Sequence, residues 1–346
     1  MTHNTGFDDC TSPRDKISRQ FRVFCINLPA MLSIPAHIRI ASRKSRLAIV
    51  QSEWAAAKLR SLYPSVNVEI IGMTTKGDEV LDKPLAQIGG KGLFIKELEM
   101  AIDEGRADIA VHSMKDVPMT LPPGFSVIIV GEREDVRDAF VSNNYASIES
   151  LPQRAVVGTS SLRRESQLRF GRPDLKIEAL RGNVITRLGK LDTGQFDAII
   201  LAAAGLKRLG LDERIRDSLQ PSAYVPAIAQ GALGIEYQSA RADIAAWLAP
   251  FANENTTAIV NAERAFGRAL TASCDVPLGA NATIIDGRLS IDGFVAMPNG
   301  SHFIRRALSG AVEDAELLGA ALAQALIEEG AGEILASLSR HGGDAG

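Results

Sequence analysis

Asp108-Ile109-Ala110-Val111-His112 is a short run with an apolar centre, followed at once by the polar residues Ser113, Lys115 and Asp116. Its length and apolar content predict a strand that ends in a polar cluster. A helix is predicted just before it, over 93–104. Further upstream, His37-Ile38-Arg39-Ile40-Ala41 alternates like a strand and passes through Arg43-Lys44-Ser45 into a helix that Pro64 closes. In that helix Leu47, Ala48, Ala55, Leu59 and Leu62 fall on one face at 100° per residue. A second strand is expected over 66–73, then a long polar loop over 74–92. Strands alternating with helices at this spacing indicate an α/β domain with a largely parallel sheet.

The same alternation restarts after the charged hinge candidate Glu132-Arg133-Glu134-Asp135. Strands are predicted at 139–141, 155–158, 176–180 and 198–201. Helices are predicted at 161–170, with Gly171 as the stop just past its end, and from about Val184. Pro221 and Pro226 punctuate a crossover near 221–231. From about Asn253 the pattern changes to one helix reaching Leu270, three strands (280–286, 289–297, 302–309) and a helix over 312–329. The architecture read from this order is α/β, two similar lobes plus a smaller α+β C-terminal domain. The expected boundaries are 36–132 plus 231–250, 137–226 and 253–346. Residues 1–35 resemble none of this. They make a poor signal peptide and are expected to be a disordered extension, or the product of a start placed too early with Met31 as the true one.

Composition excludes several functions. The 38 basic and 41 acidic residues leave a formal charge of −3, so no whole-protein field attracts nucleic acid or an anionic membrane. Aromatics at 5% are too few for an extended base-stacking surface. Cys10, Cys25 and Cys274 have no paired spacing, and the five histidines form no cluster with metal-ligand spacing, so neither a disulfide framework nor a metal is expected. No apolar run is long enough to span a membrane, and the expected compartment is the cytoplasm.

In an open α/β sheet, ligands sit at the carboxyl ends of the strands. Those ends here offer Arg43 and Ser45; Ser113, Lys115 and Asp116; Thr159, Ser161, Arg163 and Arg164; Arg181, with Arg187 on the helix that follows; and, a helix further on, Arg208. Guanidiniums with hydroxyls and helix N-termini suit a polyanion, either polycarboxylate or phosphate. Gly89-Gly90-Lys91-Gly92 lacks the spacing and terminal Lys-Ser/Thr of a P-loop and reads as a flexible lid with a basic tip. A carboxylate such as Asp116, beside cations and facing a cleft, stays ionised and is suited to stabilising developing positive charge or handling a proton. Cys274, in Thr271-Ala272-Ser273-Cys274-Asp275-Val276-Pro277, fits either a buried small hydrophobe or an exposed nucleophile. A non-enzymatic two-lobed anion-binding module remains an alternative on these grounds, as does a phosphate-utilising enzyme, which the missing P-loop and acidic metal cluster disfavour.

Several runs together resemble the porphobilinogen deaminase family. They are Ala107–Pro118, Gly158-Thr159-Ser160-Ser161-Leu162-Arg163-Arg164, Leu180-Arg181-Gly182-Asn183-Val184, Ala204-Gly205-Leu206-Lys207-Arg208-Leu209 and Cys274-Asp275-Val276-Pro277. The resemblance covers roughly residues 36–340. It implies two lobes of the type II periplasmic-binding-protein kind, and a monomeric transferase of tetrapyrrole (heme) biosynthesis. Such an enzyme joins four porphobilinogen molecules head to tail, with loss of ammonia, into hydroxymethylbilane for a downstream cyclising enzyme. It also implies that Cys274 carries a covalent dipyrromethane cofactor and that Asp116 assists each condensation. Arg43, Ser45, Ser113, Lys115, Thr159, Ser161, Arg163, Arg164, Arg181, Arg187 and Arg208 would hold acetate and propionate side chains, with Lys91 in the mobile loop above. The sequence departs from the family at Gln87, where many members have lysine. It departs again at Asp275, which is expected to raise the pKa of the Cys274 thiol and slow cofactor attachment.

Overall fold

The computed structural model describes Met1 and residues 35–79, 94–270 and 276–342. The N-terminal stretch, Gln87, Lys91, Cys274 and Asp275 lie outside the described residues. Lobe 1 begins with β1 (His37–Arg43), α1 (Arg46–Leu62) and β2 (Asn67–Met73), and continues with α2 (Lys96–Asp103), β3 (Ile109–Ser113) and β4 (Phe125–Val130). The chain then enters lobe 2 with β5 (Asp138–Val141), β6 (Val156–Gly158), α3 (Leu162–Gly171) and β7 (Lys176–Glu178). Lobe 2 is completed by α4 (Val184–Asp192), β8 (Ala198–Ala202), α5 (Ala203–Arg208) and β9 (Asp217–Leu219). After a second crossover, β10 (Leu233–Gln238) and α6 (Ala242–Leu248) return to lobe 1.

The two sheets have the same plan. Lobe 1 runs β2-β1-β3-β10-β4 and lobe 2 runs β7-β6-β8-β5-β9. In each, three parallel strands are followed by one strand, β10 or β5, that arrives from the other lobe and pairs antiparallel on both sides. This is the α/β two-lobe fold of the type II kind, and the carboxyl ends of the parallel strands point their connecting turns toward a common region. The sequence pattern missed β4, β9 and β10. Two of these are edge strands, and β10 follows a proline-rich crossover with Gly234 inside it, which hides its alternation.

The third domain packs α7 (Glu254–Ala269) and α8 (Ala315–Leu326) on a meander of β11 (Leu278–Ile285), β12 (Arg288–Val295) and β13 (Ile304–Ala311). The expected helix over 312–329 ends early. Gly330 adopts φ +106°, which only glycine takes without strain, and a separate α9 (Gly332–Gly342) follows. Gly171 is likewise not a stop beyond α3 but its last residue, with Arg172 as the cap. The expected apolar face of α1 is also turned. Ala55 and Leu59 are buried with Gln51 and Ser52, while Leu62 is exposed.

The third domain's core does not end at its own sheet. Phe266, Leu322 and Ile291 belong to one apolar cluster with Met114 and Val117, which flank Lys115 and Asp116. Glu263 of α7 is fully buried and takes both guanidinium arms of Arg133, at 2.7 and 3.0 Å, and the N–H groups of Ala229 and Ala282. Arg133 lies in the first crossover and Ala229, at φ +58°, in the second. One carboxylate thus fastens both connections between the lobes to the third domain. Arg264 beside it donates to the carbonyls of Pro118 and Met119, at 2.6 and 3.1 Å.

Candidate active site

Asp116 ends a single 3-10 turn, Met114–Asp116, that continues β3. Buried Met114 and Val117 anchor the turn from below, so the side chains between them are held at the sheet's end. A cavity of about 50 Å³ opens there, lined by Arg43, Ser45, Gln51, His112, Ser113 and Asp116 among others. Arg43 lies with its guanidinium carbon 4.3 Å from the centre of the Phe94 ring. Ser45 caps α1, its hydroxyl accepting from the Ala48 N–H at 3.3 Å, so its binding role shares an oxygen with a helix cap. Gln51, polar on an otherwise buried face, donates to Ser113 Oγ at 2.8 Å.

Lobe 2 contributes cations. Arg187 feels the charges of Arg164, Arg181, Asp116 and Arg43, and burial with this repulsion lowers its pKa to about 10. Arg181 is lowered by burial as well. Lys115, half-buried, is lowered to about 8 by desolvation, with Arg163 and Arg164 pushing the same way and Asp116 and Asp138 opposing. For both Arg187 and Lys115 burial is the larger cause, and neighbouring guanidiniums add to it.

Two expected binders have a different employment. Arg163 and Arg164 are buried, and each places one nitrogen 2.7 Å from a different oxygen of Asp138. Their other terminal nitrogens donate to the carbonyls of Val225 and Ile200. Burial opposes ionisation of Asp138, but the two guanidiniums win and hold its carboxyl far below the ordinary range. Arg163 is consumed structurally. Arg164 Nε, by contrast, is buried without an acceptor among the described residues. Arg208 points to the second crossover, donating to the Gly231 carbonyl at 2.6 Å, and does not line the cavity. Thr159 is buried and its hydroxyl accepts from the Ser161 N–H at the start of α3. Sequence reasoning missed Gln51, Asp138 and Glu263. Only Gln51 left a trace, as a polar residue on the apolar side of its helix.

Among the described residues no acidic, His or Cys cluster could hold a metal, and no helix is long and apolar enough to cross a membrane.

Residues 38–246 match the family described as porphobilinogen deaminase, dipyromethane cofactor binding domain, and residues 257–328 match its C-terminal domain. The chain belongs to the porphobilinogen deaminase family. It is 58% identical to the porphobilinogen deaminase of Chromobacterium violaceum, over 87% of this chain and 97% of that one. It is 56% identical to that of Methylobacillus flagellatus, over 89% and 99%. Among solved structures it is similar to the methionine binding protein MetQ, with a TM-score of 0.39 and 15% identity over 63% of this chain and 91% of that one.

The residues fit the dipyrromethane group that the first matched domain is named for. Each pyrrole unit carries acetate and propionate carboxylates, and the site gathers cations of both lobes near Arg164 Nε, a buried donor with no acceptor among the described residues. Arg43, Lys115, Arg181, Arg187 and that nitrogen are the donors that could hold such a polycarboxylate.

Proposed function

We propose that this chain is a cytoplasmic transferase that condenses four porphobilinogen molecules head to tail, releasing ammonia at each addition, to give hydroxymethylbilane for a downstream cyclising enzyme. The observation that carries this reading is the placing of Asp116 among cations from both lobes, on the turn continuing β3. Dipyrromethane, held on Cys274, would supply the free pyrrole position to which units are added. Arg43, Lys115, Arg181 and Arg187 bind the carboxylates and orient the rings. Asp116 is the negative charge in this positive field, set to hold pyrrole N–H groups and stabilise the cation that develops as ammonia leaves. Asp116→Asn keeps the shape and removes that charge, so kcat should fall about 10²-fold or more with the cofactor retained.

A non-enzymatic anion-binding module, the other reading of two lobes lined by arginines, gives no reason for a cofactor-binding domain. Intact mass separates the two. The deaminase is heavier than its sequence by two pyrrole units, Cys274→Ser lacks the increment, and the parent consumes porphobilinogen. A parent of bare sequence mass that leaves porphobilinogen untouched would sink the proposal.

A further inference from the structure

Behind the cavity lies a second set of ionisable groups that carboxylate binding does not use. His112, the last buried residue of β3 before Ser113, lines the cavity with Asp116. Its Nε2 lies 2.7 Å from Oε2 of Glu236 on β10, and the two side chains are only 6% and 1% exposed. Glu236 in turn meets Glu99 of α2, which is half-buried and so retains contact with solvent. Glu236 Oε1 is buried without a donor among the described residues, a costly arrangement that a proton on Glu99 relieves by turning a carboxylate–carboxylate contact into a hydrogen bond.

We infer that Glu99, Glu236 and His112 form a proton path between solvent and the cavity beside Asp116, carrying away the proton set free at each addition. This rests on the deaminase reading. As each porphobilinogen is added, its aminomethyl C–N bond breaks and ammonia departs with the electron pair. A C–C bond forms in its place, and the pyrrole carbon that is joined loses its hydrogen as a proton. Ammonia has left before that hydrogen goes, so the proton needs its own acceptor and exit. His112 takes it on its second ring nitrogen and releases the Nε2 proton to Glu236, which passes it to Glu99 and water.

The groups facing Glu99 suit this traffic. Burial and the charge of Glu236 raise its pKa to about 7, against smaller opposing effects of His112 and Lys96. A carboxyl near neutrality accepts and gives up a proton with little bias, as a relay requires. A merely structural pair would be served as well by a permanently neutral partner.

Glu99→Gln provides that neutral partner. It keeps the hydrogen bond to Glu236 but cannot pass a proton. In a holoenzyme of unchanged mass increment, kcat should fall about tenfold or more with KM held within about twofold, while Glu99→Asp keeps most of the rate. Infrared difference titration of the parent should show a carboxylic-acid band titrating near neutrality that Glu99→Gln lacks. The inference fails if the Gln variant matches the parent from about pH 6 to about pH 9, or if the Asp variant loses as much as the Gln. It fails too, whatever the variants do, if the parent shows no such band. A parent that does not consume porphobilinogen removes the functional reading and the relay with it, whereas an active parent with an indifferent Gln variant removes the relay alone.

Discussion

The two lobes bury a carboxylate on the same strand of the same plan and surround it in opposite ways. β10 in lobe 1 carries Glu236, and β5 in lobe 2 carries Asp138; each strand arrives from the other lobe and pairs antiparallel in the middle of its sheet. Asp138 is 1% exposed and saturated by Arg163, Arg164 and the Gln230 amide, which donates at 2.9 Å. Glu236 is equally buried but meets an imidazole and a second carboxyl. Asp138 therefore stays ionised under any assay condition, and its proton inventory is fixed. Burial and the charge of Glu236 raise that second carboxyl, Glu99, to about 7. The same fold position is locked by two arginines in one lobe and sits against an imidazole and a raised carboxyl in the other, and the choice is made by neighbours on adjacent elements.

Breaking the lock should have the largest effect. Asp138→Ala leaves two buried guanidiniums facing each other with no counter-ion, and losing one partner of such a cluster costs about 3–5 kcal/mol. Denaturant unfolding of the variant against the parent measures it, and a loss within error of zero would show that Arg163 and Arg164 are held by the Val225 and Ile200 carbonyls alone. Replacing Glu236 with Gln should cost far less, because His112 retains an oxygen acceptor and Glu99 a partner.

A smaller effect tests the cation surplus between the lobes. Lys115 is lowered to about 8, so above that pH the free site loses a charge that ligand carboxylates would pair with. The KM for porphobilinogen should climb about tenfold for each pH unit beyond about 8, the dependence of one required proton. Lys115→Arg, which keeps its charge in this range, should flatten the rise. An identical climb in both proteins would move the effect to another group.

Much of this was legible in the residues. The strand-end reading gathered Arg43, Ser45, Ser113 and Asp116, and all four line one cavity, because strand periodicity and the α/β rule decide which turn a residue occupies. It could not separate Arg187, aimed at the Asp116 field, from Arg163, spent on Asp138, since both stand at helix starts after strands. That distinction depends on a partner 25 residues away on a strand inserted from the other lobe. β10 was missed for a related reason. Its side chains answer to two neighbouring strands and to the other lobe's return, so no local pattern announces it. Glu99 falls in the helix expected over 93–104 and Glu236 in the strand that was missed, and only their meeting across 137 residues makes them a pair.

The smallest effect contrasts Glu99, the neighbour of Glu236, with Asp138 by their response to pH. Glu99 has an ordinary value of 4.5 and a folded value of about 7. The folded state therefore holds a proton that the unfolded state has already released between those values. Stability falls as pH rises through that window and is level above it. Glu99→Gln mimics the protonated side chain, so parent and variant should melt together near pH 4.5. They should part as pH rises, with the variant higher by about 2 °C at pH 8, because a half-exposed group is partly screened by solvent. Asp138, whose folded value lies far below its unfolded one, gives the opposite sign. Its stabilisation is complete at neutrality and is lost only in strong acid. Melting curves of the parent and Glu99→Gln from about pH 4.5 to about pH 8 make the comparison. Parallel curves would mean that Glu99 keeps its charge in the fold and that the carboxyl beside Glu236 is not raised.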